Sequence, residues 1–240
     1  MMTKKTIVFA VTALMAGMAI SNSEDEGLYH YKKIREGATW STLSINTKGS
    51  EPEAANLPLV LLIGDSITAR YTTEVRTALK GKAYVSMLAT SLAVGDPALL
   101  DELKLVLRMN TYSVIHFNFG LHGDMSTYRE GFADMLSTIQ RYAPKSKLIW
   151  ATTTPCAKKG DKPDENVIER NKIAAEHITK AGIAVDDLYT LVANYPGKLW
   201  DESGVHYKEK GTALQSKQVA EIIVPLLPPS PAASVPSAKP

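Results

Sequence analysis

Two segments of this 240-residue chain carry residue types that do chemistry together. Ser66 lies in LPLVLLIGDSITARY (57–71), directly after an apolar run and a Gly-Asp pair. His206 lies 140 residues later in LWDESGVHYKEKG (199–211), just after Asp201 and Glu202. A serine hydroxyl is a weak nucleophile until a base takes its proton. Histidine is the usual base near neutral pH. A carboxylate against the far imidazole nitrogen fixes the tautomer. Serine, histidine and acid together are the equipment of acyl transfer through a covalent serine intermediate. A plainer reading competes. Serine is a preferred helix N-cap, and Asp65 can fill the same role. On this stretch alone both readings stay open.

The other histidines divide by position. His30 belongs to a polar N-terminal stretch, and His177 falls inside a helical pattern, where it reads as solvent-facing. His116 sits in an apolar run and reads as a core histidine. His122 and His206 fall on loops.

The elements that must position these residues alternate. Short apolar runs at 59–63, 83–88, 112–117, 147–152 and 183–185 read as buried strands. Helical patterns follow at 68–79, 97–108, 126–142, 165–181 and 207–226. A further strand is expected near Trp40 to Ile45. This alternation predicts an α/β protein with a parallel sheet covered on both faces. Ligands in such sheets bind at the carboxyl ends of the strands. The loops at Gly64, Gly95, Gly120, Pro155 and Gly204 are therefore the ones that matter. At Gly64 the expected reason for glycine is freedom of backbone angle in a tight strand-to-helix turn.

Composition bounds the partners. Lys4 and Lys5 precede an apolar run from Thr6 to Ile20, and small and acidic residues follow. This is the pattern of a secretory signal, expected over residues 1–21. Its removal takes away two lysines and no acids, leaving basic and acidic side chains balanced. A balanced surface argues against nucleic acid or an anionic membrane as the main partner. The single cysteine, Cys156, excludes an intrachain disulfide. The scattered histidines show no metal-ligand spacing. Residues 22–56 read as an irregular lead-in and 57–227 as one domain. The Pro-, Ser- and Ala-rich residues 228–240 read as a flexible tail.

GDSIT at 64–68, followed in order by GVHYKEKG at 204–211, resembles the SGNH hydrolases, also called GDSL esterases and lipases. The resemblance covers roughly Leu57 to Leu226. It implies a three-layer α/β/α sandwich with a flavodoxin-like parallel sheet of about five strands. It also implies that Ser66 is the nucleophile and His206 the base. Gly95, in AVGD, matches the glycine whose N–H contributes to the oxyanion hole, and the Ser66 N–H is a second donor. The family's third donor is the asparagine of G-x-N-D. Here the corresponding run is HFNFGLHGD (116–124), with His122 at the asparagine position and Gly123 at the aspartate position. A neutral imidazole N–H can donate to an oxyanion. His122 and Asn118, two residues before Gly120, are both candidates. The family's acid stands three residues before the histidine, where this chain has Ser203. Asp201 is the candidate third member, Glu202 is the other nearby carboxylate, and a dyad oriented by a backbone carbonyl is the alternative.

The activity so implied is that of an exported serine esterase, periplasmic or secreted, acting on small-molecule or glycan esters without a cofactor or metal. Short-chain or acetyl esters on carbohydrates are the expected substrates. The departures at His122 and Ser203 also motivate a non-catalytic carbohydrate-binding module. An acyltransferase using the same serine is a third reading.

Overall fold

The computed structural model describes residues 39–46, 56–156, 164–195 and 198–229. The expected signal segment and nearly all of the expected tail lie outside the described residues. Strand β1 (Ser41–Ser44) is followed by β2 (Leu59–Gly64), α1 (Ser66–Ala78), β3 (Tyr84–Thr90) and α2 (Pro97–Met109). Then come β4 (Val114–Phe117), α3 (Met125–Tyr142), β5 (Lys147–Ala151), α4 (Glu165–Ala181) and β6 (Ala184–Asp186). Helices α5 (Leu188–Ala193) and α6 (Glu209–Ile223) and a 3₁₀ turn (Val224–Leu226) complete the described chain.

The strands form one sheet in the order β1-β3-β2-β4-β5-β6. Strands β2 to β6 are parallel, and β1 joins β3 antiparallel as an edge. Central β2 is buried along its whole length because it is apolar on both faces. Its alternate residues face opposite ways. Leu59, Leu61 and Ile63 pack with Ile115, Phe117 and Trp150 under α2, α3 and α4. Val60 and Leu62 pack with Val85, Val114 and Ile149 under α1, α5 and α6. Two cores on one sheet make the three-layer α/β/α sandwich. The five parallel strands have the flavodoxin-like order, in which the chain reverses direction across the sheet between β3 and β4.

Helix starts follow local chemistry. Asp65 Oδ1 accepts a hydrogen bond from Ile67 N at 2.9 Å, so α1 begins at Ser66, two residues before the sequence pattern predicts. Asp96 caps α2 on Ala98 N at 2.9 Å, with Pro97 at the first helical position. Helix α6 starts at Glu209 rather than Tyr207, because Tyr207 pairs with Trp200 in an isolated β-bridge. The sequence pattern predicts a turn where α5 forms. Asp187 Oδ1 accepts from Thr190 N at 3.0 Å and nucleates that short helix. Among the described residues no helix is long and apolar enough to cross a membrane.

Gly64 is glycine for a different reason from the one expected. Its backbone lies outside the positive-φ set. A Cβ there would stand 2.1 Å from Thr68 Oγ1 and 3.1 Å from the Asn118 carbonyl oxygen. The absent side chain lets α1 fold back tightly over the strand end. Gly64→Ala is therefore expected to destabilise the fold by about 1–3 kcal/mol through overpacking. Urea unfolding of the two proteins measures this, and an unchanged midpoint would contradict it.

Candidate active site

The loop after β2 delivers Ser66 to the carboxyl edge of the sheet as the first residue of α1. Asp65 takes the cap, so the Ser66 hydroxyl is not needed for it. Its partner is His206: Nε2 lies 2.9 Å from Ser66 Oγ. The structure thus brings together the two residues that the sequence places 140 apart.

The loop carrying His206 holds its own shape. Asp201 N donates to His206 O at 2.8 Å, and Lys208 N donates to Leu199 O at 2.8 Å. Gly204 turns the chain at φ +70°, a left-handed conformation that glycine adopts without steric cost. Asp201 Oδ1 accepts from Ser203 N at 2.9 Å, a local turn that aspartate favours. Ser203 Oγ accepts from Val205 N at 3.2 Å and from His206 N at 3.1 Å. The flanking residues tie this loop to the one after β5. Trp200 Nε1 and Tyr207 Oη both donate to the Pro155 carbonyl, at 2.9 and 2.5 Å.

Asp201 does not touch the imidazole; Ser203 stands between them. The Ser203 hydroxyl donates to Asp201 Oδ1 at 2.5 Å, and its oxygen lies 3.4 Å from His206 Nδ1. The hydroxyl proton goes to the carboxylate, so the Ser203 oxygen faces Nδ1 only as an acceptor, shared with the two backbone N–H groups. With the ring in its Nδ1–H tautomer, the Nε2 lone pair faces Ser66. The Ser203 hydrogen bond, first, and nearby Arg70 hold the Asp201 carboxyl below the usual carboxylate range. Arg70 Nη1 is 3.5 Å from Asp201 Oδ2. The position three before His206 was the signal for Ser203, and only its residue type hid the role.

The two candidate third donors have different surroundings. Asn118 Nδ2 donates to the Ala151 carbonyl at 2.8 Å, which braces the ends of β4 and β5. His122 is half-buried, and its Nε2 is buried without a hydrogen-bond partner. The charges of His122 and His206 both pull the Asp65 carboxyl downward, against the larger effect of its burial. Gly95 has φ +95° at the end of the β3 loop. A Cβ on Gly131 of α3 would come within 2.4 Å of Gly95 N, so helix and loop backbone touch.

Several other buried polar groups tie elements of the fold together. His116 Nε2 is 2.9 Å from Asp186 Oδ2, both fully buried, and Gln218 Nε2 donates to Asp186 Oδ1 at 2.7 Å. His177 is not solvent-facing as its helical position predicts. It packs on Phe132, ring centroids 5.8 Å apart, because α3 lies against that face of α4. Tyr71 and Tyr128 are buried packing residues. Asn171 clasps Thr153 with two backbone hydrogen bonds, each 2.8 Å, fixing the end of β5. Among the described residues no group of three or more His, Cys, Asp or Glu could hold a metal ion.

No family model and no curated protein sequence matches the chain. Solved structures do. A carbohydrate esterase family 3 protein from Talaromyces cellulolyticus aligns with TM-score 0.59 and 15% identity over 71% of this chain and 98% of its own. An acetyl xylan esterase variant from Geobacillus stearothermophilus aligns with TM-score 0.56 and 12% identity, covering 69% and 94%. A member of the lipolytic G-D-S-L family from Veillonella parvula aligns with TM-score 0.53 and 19% identity, covering 68% and 97%. At these identities the likeness establishes the fold, which is that of the SGNH hydrolases.

Burial pushes the Asp65 carboxyl above its ordinary value of 3.8, against the Ile67 N–H and the two histidines that pull it down. Above pH 3.8 the folded chain then holds this proton more tightly than the unfolded chain, so stability falls as pH rises through that window. Asp65→Asn keeps a capping oxygen and carries no charge. The variant is expected to be more stable than the wild type at pH 8, with the difference shrinking toward pH 4. Urea unfolding across that range checks the sign, and a pH-independent difference would contradict it.

Proposed function

We propose that this chain is a serine esterase of the SGNH type. The observation that carries the proposal is the 2.9 Å approach of His206 Nε2 to Ser66 Oγ at the ligand edge of the sheet. In this reading Ser66 Oγ attacks an ester carbonyl while His206 Nε2 takes its proton. The carbonyl oxygen becomes an oxyanion held by the N–H groups of Ser66 and Gly95 and by His122 Nε2–H. Stabilisation of this kind is commonly the largest single contribution to such catalysis. His206 then gives the proton to the departing alkoxide, and an acyl-enzyme remains. Water, deprotonated by His206, attacks the acyl group, and the acid leaves as Ser66 recovers its proton.

Ser203 and Asp201 orient the base in this scheme. The carboxylate polarises the Ser203 hydroxyl, whose oxygen accepts from Nδ1–H and favours the imidazolium that forms. His122 is preferred over Asn118 as third donor, because Asn118 Nδ2 is held by one of its two hydrogens on the Ala151 carbonyl whereas His122 Nε2 has no partner. Acetyl or other short acyl esters on carbohydrates are the proposed substrates. Their support is the likeness in fold to a carbohydrate esterase and an acetyl xylan esterase. Export, periplasmic or to the medium, belongs to the same reading and rests on the N-terminal residues.

Hydrolysis of an aryl acetate and of an acetylated xylo-oligosaccharide by the wild type, Ser66→Ala and Ser203→Ala tests the scheme. Wild-type turnover is expected on both substrates. Ser66→Ala is expected to lose about 10⁶ in kcat, as when a nucleophile is removed. Ser203→Ala is expected to lose less than the ~10⁴ seen when an orienting acid is disabled, with KM little changed. Equal activity of wild type and Ser66→Ala would overturn the proposal.

A further inference from the structure

We propose that Arg170 is the positioning residue that sets His122 as an oxyanion donor, an inference that rests on the esterase reading. Arg170 lies on α4 and is only 5% exposed. An arginine is rarely so buried unless paired. Its hydrogen bonds go to backbone carbonyls and a thioether. Nη1 donates to Gly120 O at 2.8 Å, Nη2 donates to Gly123 O, and Nε points to Met125 Sδ at 3.2 Å. The two carbonyls bracket His122 in sequence. Tyr128, over whose ring the guanidinium lies at 5.5 Å, donates its hydroxyl to Phe119 O at 2.7 Å. Three carbonyls of the 119–123 loop are thus drawn toward α3 and α4.

The opposite side of the loop is fixed by contact. Gly120 abuts Thr153, where a Cβ would stand 2.0 Å from Oγ1. Gly123, at φ +82°, abuts Ala93, where a Cβ would stand 2.4 Å from the alanine Cβ. The loop is held between the ends of β3 and β5 and the guanidinium fork. His122 leaves this clamp with its Nε2 unpartnered and buried. A buried ring nitrogen left without a partner is costly to a fold, and in the Nε2–H tautomer it is a free donor for a developing oxyanion. Only a planar fork can hold both carbonyls in this geometry; a lysine would offer a single charged point. Arg170 meets no reacting atom. It acts through the place it gives His122.

The test is a mutant cycle with a spectroscopic readout. Arg170→Met and Arg170→Lys are made in the wild type and in His122→Ala, and kcat and KM are measured on an aryl acetate. Displacing a catalytic group by 1 Å costs on the order of 10² in rate. Arg170→Met is therefore expected to lower kcat about 10–100-fold with KM within about twofold. Arg170→Lys is expected to lose less. In His122→Ala, which itself loses about 10²–10³, Arg170→Met is expected to cost nothing more. A loss of equal size in both backgrounds would mean general packing and would overturn the proposal. Imidazole ¹⁵N spectra of His122 supply a readout without turnover. One Nε2–H tautomer is expected in the wild type and a mixture or broadened signal in Arg170→Met. Unchanged His122 signals would overturn the clamp. A chain with no esterase activity but a shifted His122 signal would remove the esterase reading and leave the clamp standing. If Arg170→Met does not fold, as judged by circular dichroism, Arg170→Lys carries both readouts.

Discussion

The arrangement of this molecule turns on one contact, the approach of His206 to Ser66. Ser66 opens the first helix and His206 lies on the loop before the last α-helix, so nothing local could bring them together. The parallel sheet does so. Every connection between parallel strands must cross back outside the sheet, so all the strand ends carrying Gly64, Gly95, Gly120 and Pro155 open at one edge. Ser66 arrives there because β2 ends in a residue with no side chain, and α1 can begin at once. His206 arrives there because Trp200 and Tyr207 fasten their loop to the Pro155 carbonyl. The contact depends on the end of β5 as much as on the two residues that make it.

Charge around this contact is arranged with little exposed redundancy. Asp65 is buried at the start of α1, and its carboxyl is held above the ordinary range by desolvation. Asp201 stands at the rim, held ionised by the Ser203 hydroxyl and Arg70. The inner carboxylate shapes the helix start, and the outer one reaches the imidazole through a hydroxyl. Insertion of Ser203 lengthens the path from acid to base but keeps the direction of the hydrogen bonds. In the proposed mechanism the donor side shows a similar substitution, with the His122 imidazole in place of an asparagine. The loop around it is pinned by the buried Arg170 guanidinium and the Tyr128 hydroxyl.

Much of the fold was legible in the sequence because its central strands are apolar on both faces and its longer helices carry amphipathic patterns. Residues 59–63 read as a buried strand, and the helical pattern from 97 was visible in the sequence. Helix α5 was hidden because six residues show little periodicity, and its cap, Asp187, follows another aspartate. The Ser66–His206 pairing was legible because both residues sit at loop positions with distinctive neighbours. The contact of Ser203 with both Asp201 and His206 was not, because a serine at the position three before the histidine does not read as a link to a carboxylate. Arg170 was hidden more deeply. A lone arginine in a helical pattern reads as a surface charge, and its burial follows from how α4 lies against α3. Gly64 was identified as necessary for the wrong reason: close approach of Thr68, rather than backbone angle, excludes a side chain there.

Covalent labelling by a fluorophosphonate reports an activated serine whatever the natural substrate. Intact mass and peptide mapping of the labelled chain are compared with His206→Ala. One adduct is expected, on Ser66, with labelling at least about a hundredfold slower when the base is removed. Labelling of another serine, or equal labelling without His206, would contradict this expectation.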